Sequence, residues 1–95
     1  MLLMVNKRKI PVISLEDFKA KLQKGKVYKS LVESIKEGVE YNLESVNIAE
    51  IKYHDIMINV PKTEWKAGLK KAMDYYIKKE EYEECSKIKK LINRL

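Results

Sequence analysis

The apolar positions in the first half of the chain follow the period of an α-helix. One stripe repeats at i, i+3, i+4, i+7 and i+11 and contains Tyr28, Leu31, Val32, Ile35 and Val39. This stripe predicts a helix that ends between positions 38 and 41. A shorter helical pattern precedes it over 15–24, with Ser14 in the position of an N-cap and Gly25 as its stop. Two N-terminal helices are therefore expected.

The stretch before these helices lacks a helical pattern. Residues 1–13 hold two short apolar pieces separated by the polar run Asn6-Lys7-Arg8-Lys9. Pro11 disfavours a helix because its ring fixes φ and it has no backbone N–H, whereas an edge strand accepts proline. We therefore predict that residues 1–13 form either a flexible arm or an edge strand.

From residue 43 onward the apolar period changes to two, which is typical of strands with one buried face. The alternating positions are Val46, Ile48, Ile51, Tyr53, Ile56, Ile58 and Val60. A step of three inside this series indicates a β-bulge near Ala49-Glu50. A turn at His54-Asp55 predicts a central β-hairpin of roughly 45–53 with 56–60. Because an isolated hairpin is marginally stable in water, it must pack against helices, a third strand or a partner chain.

Two further helical stripes fill the last third of the chain. The first contains Trp65, Leu69, Ala72, Met73 and Tyr76, and the second contains Tyr82, Cys85, Ile88, Ile92 and Leu95. The six-residue step from Tyr76 to Tyr82 places the two stripes about 240° apart on one ideal helix, so they do not form one face. A break near Lys79-Glu80 brings them together as an antiparallel helical hairpin over 63–95, with Thr63 as the N-cap.

These elements predict one small α+β domain over 1–95, with two N-terminal helices, a central β-hairpin and a C-terminal helical hairpin. Ninety-five residues leave no room for a second domain. A single Cys excludes a disulfide framework, and a single His excludes paired-His catalysis. No stretch approaches the roughly 20 apolar residues of a membrane helix. We therefore expect a cytoplasmic protein that does not bind a membrane.

The net charge of +6 is spread unevenly along the chain. Residues 1–29 carry +6, residues 30–60 carry −4 and residues 61–95 carry +4. Such a distribution attracts phosphate backbones or acidic protein surfaces. Eighteen of the twenty basic residues are Lys, and base-edge recognition depends mainly on the planar guanidinium of Arg. The composition therefore disfavours sequence-specific DNA binding.

Part of the last third resembles a known family motif. The residues that carry the resemblance are Met73, Tyr82-Glu83, Cys85-Ser86, Ile88, Lys89 and Ile92. In this spacing they resemble the UVR motif, a short antiparallel helical hairpin of UvrB, UvrC and some regulators of the Clp protease system. Cys85-Ser86 stands where the family has two Ala, and Lys90 reverses the charge of the family's Asp. The resemblance implies protein–protein interaction or self-association, and no catalysis.

The sequence offers few residues for chemistry. His54 and Asp55 are adjacent, but an acid–base pair also needs a nucleophile and a pocket, so we interpret both as exposed turn residues. Their spacing from Glu50 does not make three ligands converge on a metal ion. Cys85 lies on an apolar stripe, where a small buried side chain is expected. We therefore predict no enzymatic activity, no cofactor and no metal.

Basic and aromatic residues supply the candidate binding surface. The predicted partner-binding residues are Lys7, Arg8, Lys9, Tyr75, Lys87, Lys90 and Arg94. The last three repeat at i, i+3 and i+7 and form one row on the last helix. Tyr75 lies beside the apolar stripe, so an exposed ring is expected, whereas Trp65, Tyr76 and Tyr82 are expected in the core.

Two functions fit this surface. The first is a non-enzymatic protein-binding module, in the manner of a small phage-type inhibitor or regulator that occludes or recruits a larger host protein. The free edge of the hairpin would then add to a partner sheet or to a second copy. The alternative is a sequence-nonspecific nucleic-acid-binding protein in which Tyr75 stacks on bases. A homodimer is expected under either function because a chain this small buries little surface alone.

Overall fold

The computed structural model describes residues 10–95, which form one three-stranded sheet and four α-helices. The strands are β1 (Val12–Ile13), β2 (Ser45–Ile51) and β3 (Ile56–Pro61). The helices are α1 (Leu15–Lys19), α2 (Lys24–Glu40), α3 (Trp65–Lys78) and α4 (Tyr82–Asn93). The α+β class and the C-terminal helical pair are confirmed. The predicted contacts of Lys7, Arg8 and Lys9 lie outside the described residues.

The sheet has three strands rather than the two of the predicted hairpin. β2 is central, with β1 parallel to it on one side and β3 antiparallel on the other. Val12 pairs with Glu50 and Ile13 with Ile51, so this part of the N-terminal stretch is an edge strand. Parallel strands need a long crossover connection, and the segment with α1 and α2 supplies it. The third strand gives the hairpin part of the additional packing that it requires.

The hairpin differs from the prediction in its bulge and strand ends. The two strands enclose a turn over 52–55, which includes the predicted His54-Asp55, with positive φ at Tyr53 (68°) and Asp55 (54°). The bulge lies between Asn47 and Ala49, slightly earlier than predicted. Ile48 and Ala49 are both buried there, because the extra residue interrupts the alternation of faces.

The first N-terminal helix begins as predicted but ends earlier. Ser14 caps α1, since its Oγ accepts the backbone N–H of Asp17 at 3.1 Å. The helix ends at Lys19, and Gly25 is not its stop but lies in the first turn of α2. The chain reverses through positive φ values at Lys21 (58°) and Gln23 (64°).

The start of α3 also differs from the prediction. Thr63 is not the N-cap, because it lies inside a 3₁₀ turn formed by Lys62–Glu64. Glu64 occupies the cap position and makes no side-chain hydrogen bond there. At the other end of α3, the break before α4 lies near Lys79-Glu80, as predicted, and Glu80 has a φ of 59°.

The core lies between the helices and the covered face of the sheet. Its largest fully buried side chain is Trp65, whose exposed fraction is 0% and whose Nε1–H donates to the Val60 carbonyl at 2.9 Å. Two buried serines of α2 tie that helix to the bulge. Ser30 Oγ donates to the Ile48 carbonyl at 2.6 Å, and Ser34 Oγ donates to the Asn47 carbonyl at 3.2 Å. These bonds provide hydrogen-bond donors for the Ile48 and Asn47 carbonyls at the bulge, where the regular pairing of the two strands is interrupted.

Two helical glycines provide a matched test of this packing. A Cβ on Gly38 would lie 2.6 Å from the Trp65 ring and 2.9 Å from Val46, whereas one on Gly68 would lie 3.4 Å from Leu31. We expect Gly38→Ala to lower the free energy of unfolding by about 1–3 kcal/mol through overpacking. Gly68→Ala should raise it by up to about 1 kcal/mol, because Ala favours a helix over Gly. Chemical denaturation of both variants checks the pair, and equal effects would contradict the described packing around Gly38.

Candidate functional site

A groove of about 630 Å³ lies between α2 and α4, and Glu81 of the α3–α4 turn also lines it. Its apolar lining comes from three separate helices: Val32 of α2, Tyr76 of α3 and Leu91 of α4. All three side chains are largely buried, so they form a floor rather than protruding ridges. A concave apolar floor between helices is a common place for a ligand or a partner segment to bind.

The rim of this groove is charged and has an excess of positive residues. The basic residues are Lys29, Lys36, Lys87, Lys90 and Arg94, and the acidic residues are Glu33, Glu81 and Glu84. Lys87 Nζ lies 3.1 Å from Glu84 Oε2, in an exposed i, i+3 pair of the kind that contributes little to stability. Within residues 10–95 no ion pair involves Lys90 or Arg94. Both residues are exposed.

The structure brings the predicted row Lys87, Lys90 and Arg94 into this groove. The sequence interpretation did not include the opposite wall, where Lys29, Glu33 and Lys36 lie on one face of α2. Their spacing of four and three residues was the available signal for a common helical face. That spacing gives no information about which other helix the face meets.

Leu91 is a further groove residue that the sequence interpretation missed. The predicted stripe of α4 ran through Ile88 and Ile92, yet Leu91 is as fully part of the core as Ile88. Its position three residues after Ile88 was compatible with the same apolar face. The correction widens that face, so that α4 packs on α3 and also lines the groove towards α2.

Tyr76, on the floor of the groove, has a hydroxyl with a raised pKa. Burial, followed by the negative charge of Glu84 and smaller effects of Tyr75, Glu81 and Glu33, raises the pKa of its hydroxyl from 10.0 to about 12. Burial and negative neighbours both disfavour the phenolate. The floor of the groove therefore presents a neutral hydroxyl throughout the physiological pH range.

This raised pKa predicts a loss of stability in alkali. Between pH 10 and pH 12 the unfolded chain releases the Tyr76 proton while the folded chain retains it. The folded state then binds more protons, so the free energy of unfolding falls as the pH rises through this window. Tyr76→Phe should remove a contribution to that slope on the order of 1 kcal/mol per pH unit. Urea titrations of both proteins at several pH values check this, and parallel curves would contradict it.

Tyr75 does not have the exposed ring that the sequence suggested. Its ring centroid lies 5.0 Å from that of Tyr28 and 5.1 Å from that of Tyr76, with Lys79 Nζ 5.5 Å from the ring. The side chain is half-buried. Gly25 allows this arrangement, because a Cβ at that position would lie 3.0 Å from the Tyr75 hydroxyl. The ring therefore joins α3 to the start of α2.

The other aromatic and sulfur predictions have mixed outcomes. Tyr82, expected in the core, is 62% exposed because it lies in the first turn of α4. Cys85 is partly buried, and its Sγ lies 3.8 Å from the Met73 carbonyl on the facing helix. Ile88 is fully buried. Among the positions that resemble the UVR motif, Ile88 thus belongs to the hydrophobic core, and Met73 and Cys85 pack against it.

His54 and Asp55 are exposed in the hairpin turn. Within residues 10–95, no three His, Cys, Asp or Glu side chains converge as a candidate metal site. None of the helices in that part of the chain is long and apolar enough to cross a membrane.

Comparison of the chain with protein families, with curated proteins and with solved structures finds no match. The UVR resemblance therefore remains a prediction.

Proposed function

We propose that this protein is a non-enzymatic protein-binding module whose groove between α2 and α4 holds an acidic, amphipathic helical segment of a larger partner protein. The observation that carries the proposal is the combination of an apolar floor with a rim that has five basic residues and three acidic ones. In the cytoplasm, a module of this kind regulates or inhibits its partner by covering the segment that it binds, as small phage inhibitors do.

The apolar floor defines half of the complementary surface. Val32, Tyr76 and Leu91 leave a narrow apolar strip between two helices. A helix that presents apolar anchors at i, i+3 or i+4 and i+7 would cover such a strip with one face. The Tyr76 hydroxyl remains neutral and is able to donate a hydrogen bond to a carboxylate of that segment.

The charged rim defines the other half. Five basic residues face three acidic ones around the groove, and Lys90 and Arg94 have no ion pair within the described residues. Acidic residues that flank the apolar anchors of the partner would meet these two groups. Complementary charge of this kind mainly raises the association rate and selects the partner. The resemblance of α3 and α4 to a UVR hairpin supports the same class of function.

The nucleic-acid alternative has weaker support. It relied on Tyr75 as an exposed stacking residue, and that ring is enclosed by two other tyrosines. Tyr53 is 90% exposed beside Lys52, whose Nζ lies 5.0 Å from the ring centroid, but it is at the tip of the hairpin and does not line the groove. A stacking surface needs several aromatic rings along one basic track.

An affinity pulldown from host-type lysate, with and without nuclease, tests the proposal. We expect a stoichiometric protein that survives nuclease treatment and is released by a peptide copied from its acidic amphipathic helix. Recovery of nucleic acid, with all proteins lost on digestion, would establish the alternative instead. A captured protein that no acidic helical peptide displaces would contradict the assignment of the groove.

A further inference from the structure

The outer edge of β3 carries backbone groups that no described strand uses. The strand order is β1-β2-β3, so β1 covers one edge of β2 and β3 covers the other. Glu50 donates its backbone N–H to the Pro11 carbonyl at 2.9 Å, which directs the Glu50 backbone towards β1. Its antiparallel partner is Met57. Since the two members of an antiparallel pair both face each other or both face away, the N–H and C=O of Met57 point outward.

The same argument, applied from the other end of β3, shows the direction of the Asn59 backbone groups. Lys62 donates its backbone N–H to the Glu44 carbonyl at 2.8 Å, so position 62 faces β2. Position 60 then also faces β2, and positions 59 and 61 face outward. Pro61 lacks an N–H and fits an outward position, where no ladder bond is lost. The outward N–H groups of β3 are therefore those of Met57 and Asn59, and the carbonyls of these two residues and of Pro61 point outward as well.

The side chains of β3 leave this edge unprotected. Ile56 and Met57 are each 48% exposed, and Ile58 and Val60 are partly exposed. The β2 partners of Ile56, Ile58 and Val60 are nevertheless buried. No charged residue occurs between Asp55 and Lys62. Soluble proteins commonly protect such edges with a lysine, a bulge or a covering segment, and the bulge of this sheet lies on β2 instead.

We propose that β3 pairs with β3 of a second copy of this chain, as an antiparallel dimer centred on Ile58. In this register Met57 lies opposite Asn59 of the second copy, and the outward N–H and C=O groups of both residues form four hydrogen bonds. A two-fold axis makes the edge complementary to itself, and the absence of charge on the strand removes like-charge repulsion at the contact.

The apolar side chains also match in this register. Ile58 meets its own copy at the axis, and Ile56 meets Val60 on either side. These three residues share the face of the sheet that packs on the helices, because they pair with the buried Ala49, Ile51 and Val46. The dimer extends the sheet from three strands to six and covers the apolar side chains that the monomer exposes at its edge.

The dimer goes beyond the proposed function, because none of the β3 residues lines the groove between α2 and α4. Each dimer would carry two grooves. Two linked sites raise the apparent affinity for a partner that is itself oligomeric, provided that both sites reach it at once. A failure of dimerisation would therefore leave the groove proposal untouched.

Sedimentation of the full chain over a range of concentrations, with a matched pair of variants, tests the dimer. Met57→Pro removes an outward N–H and should raise the dimer dissociation constant at least about tenfold, because two of the four hydrogen bonds are lost. Met57→Ala keeps the N–H and should dimerise nearly as the natural chain does. A natural chain that stays monomeric overturns the proposal, and so does a dimer that Met57→Pro leaves intact.

Amide hydrogen exchange of the natural chain supplies a measurement that does not depend on the folding of any variant. The amides of Met57 and Asn59 should become protected as the protein concentration rises, while exchange in the exposed turn at Tyr53 stays unchanged. Rapid exchange at both positions at every concentration would overturn the proposed pairing.

Discussion

Reversal of the two unpaired rim charges, Lys90→Glu with Arg94→Glu, is expected to weaken partner binding at least about a hundredfold. Both groups line the groove, and neither forms an ion pair within residues 10–95. The double variant replaces two attractive contacts with two repulsive ones, and like charges placed across an interface cost several kcal/mol. Since about 1.4 kcal/mol corresponds to a tenfold change, a hundredfold loss is the lower end of the expected range. Titration calorimetry with the captured partner measures it.

The chain offers a control of equal charge. Lys66→Glu with Lys70→Glu also lowers the net charge from +6 to +2, but these exposed residues of α3 are not part of the groove. This control should retain partner binding within a few-fold, and both double variants should melt close to the natural protein. Equal loss of binding in the two variants would show that long-range charge, and not the groove, determines the affinity.

Replacement of Trp65 by Ala is expected to lower the free energy of unfolding by about 3–5 kcal/mol. The ring is fully buried, touches the position of Gly38 on α2 and bonds through Nε1 to the Val60 carbonyl of β3. It therefore joins α3 to both other layers of the core. For a domain of this size each kcal/mol lowers the melting temperature by about 4–8 °C, so this variant should melt about 12–40 °C below the natural protein. Thermal melting followed by circular dichroism checks the effect.

A second substitution separates the bulk of the ring from its hydrogen bond. Trp65→Phe removes the Nε1–H and part of the ring that crowds Gly38, and should cost about 1–2 kcal/mol. In this background Gly38→Ala should lose most of its own penalty, because the ring atoms nearest the added Cβ are gone. Additive effects of the two substitutions would contradict the contact between these positions.

Local signals along the chain were sufficient for the elements that depend on near neighbours. The Ser14 cap, the hairpin turn at His54-Asp55 and the break at Lys79-Glu80 were all predicted correctly. Each involves bonds or backbone angles within a few residues. The boundary at Gly25 was predicted incorrectly, since that glycine serves a distant contact with Tyr75 instead of ending a helix.

Only one wall of the candidate groove could be predicted from local sequence patterns. The row Lys87, Lys90 and Arg94 follows from helical spacing alone. Its opposite wall comes from α2, some fifty residues earlier in the sequence, and no local pattern indicates that these two helices face each other. Likewise, Tyr82 and Leu91 are apolar residues of the same helix, yet Leu91 is buried in the core and Tyr82 is 62% exposed.

The sequence by itself determined the type and order of the longer elements and the basic row on the last helix. It did so because hydrophobic period and capping report on interactions within a few residues. The tertiary structure decided the third strand, the groove between α2 and α4 and the outward direction of the Met57 and Asn59 backbone. These features depend on contacts between residues far apart in the chain, and the periodicity of one segment carries no information about which other segment will cover it.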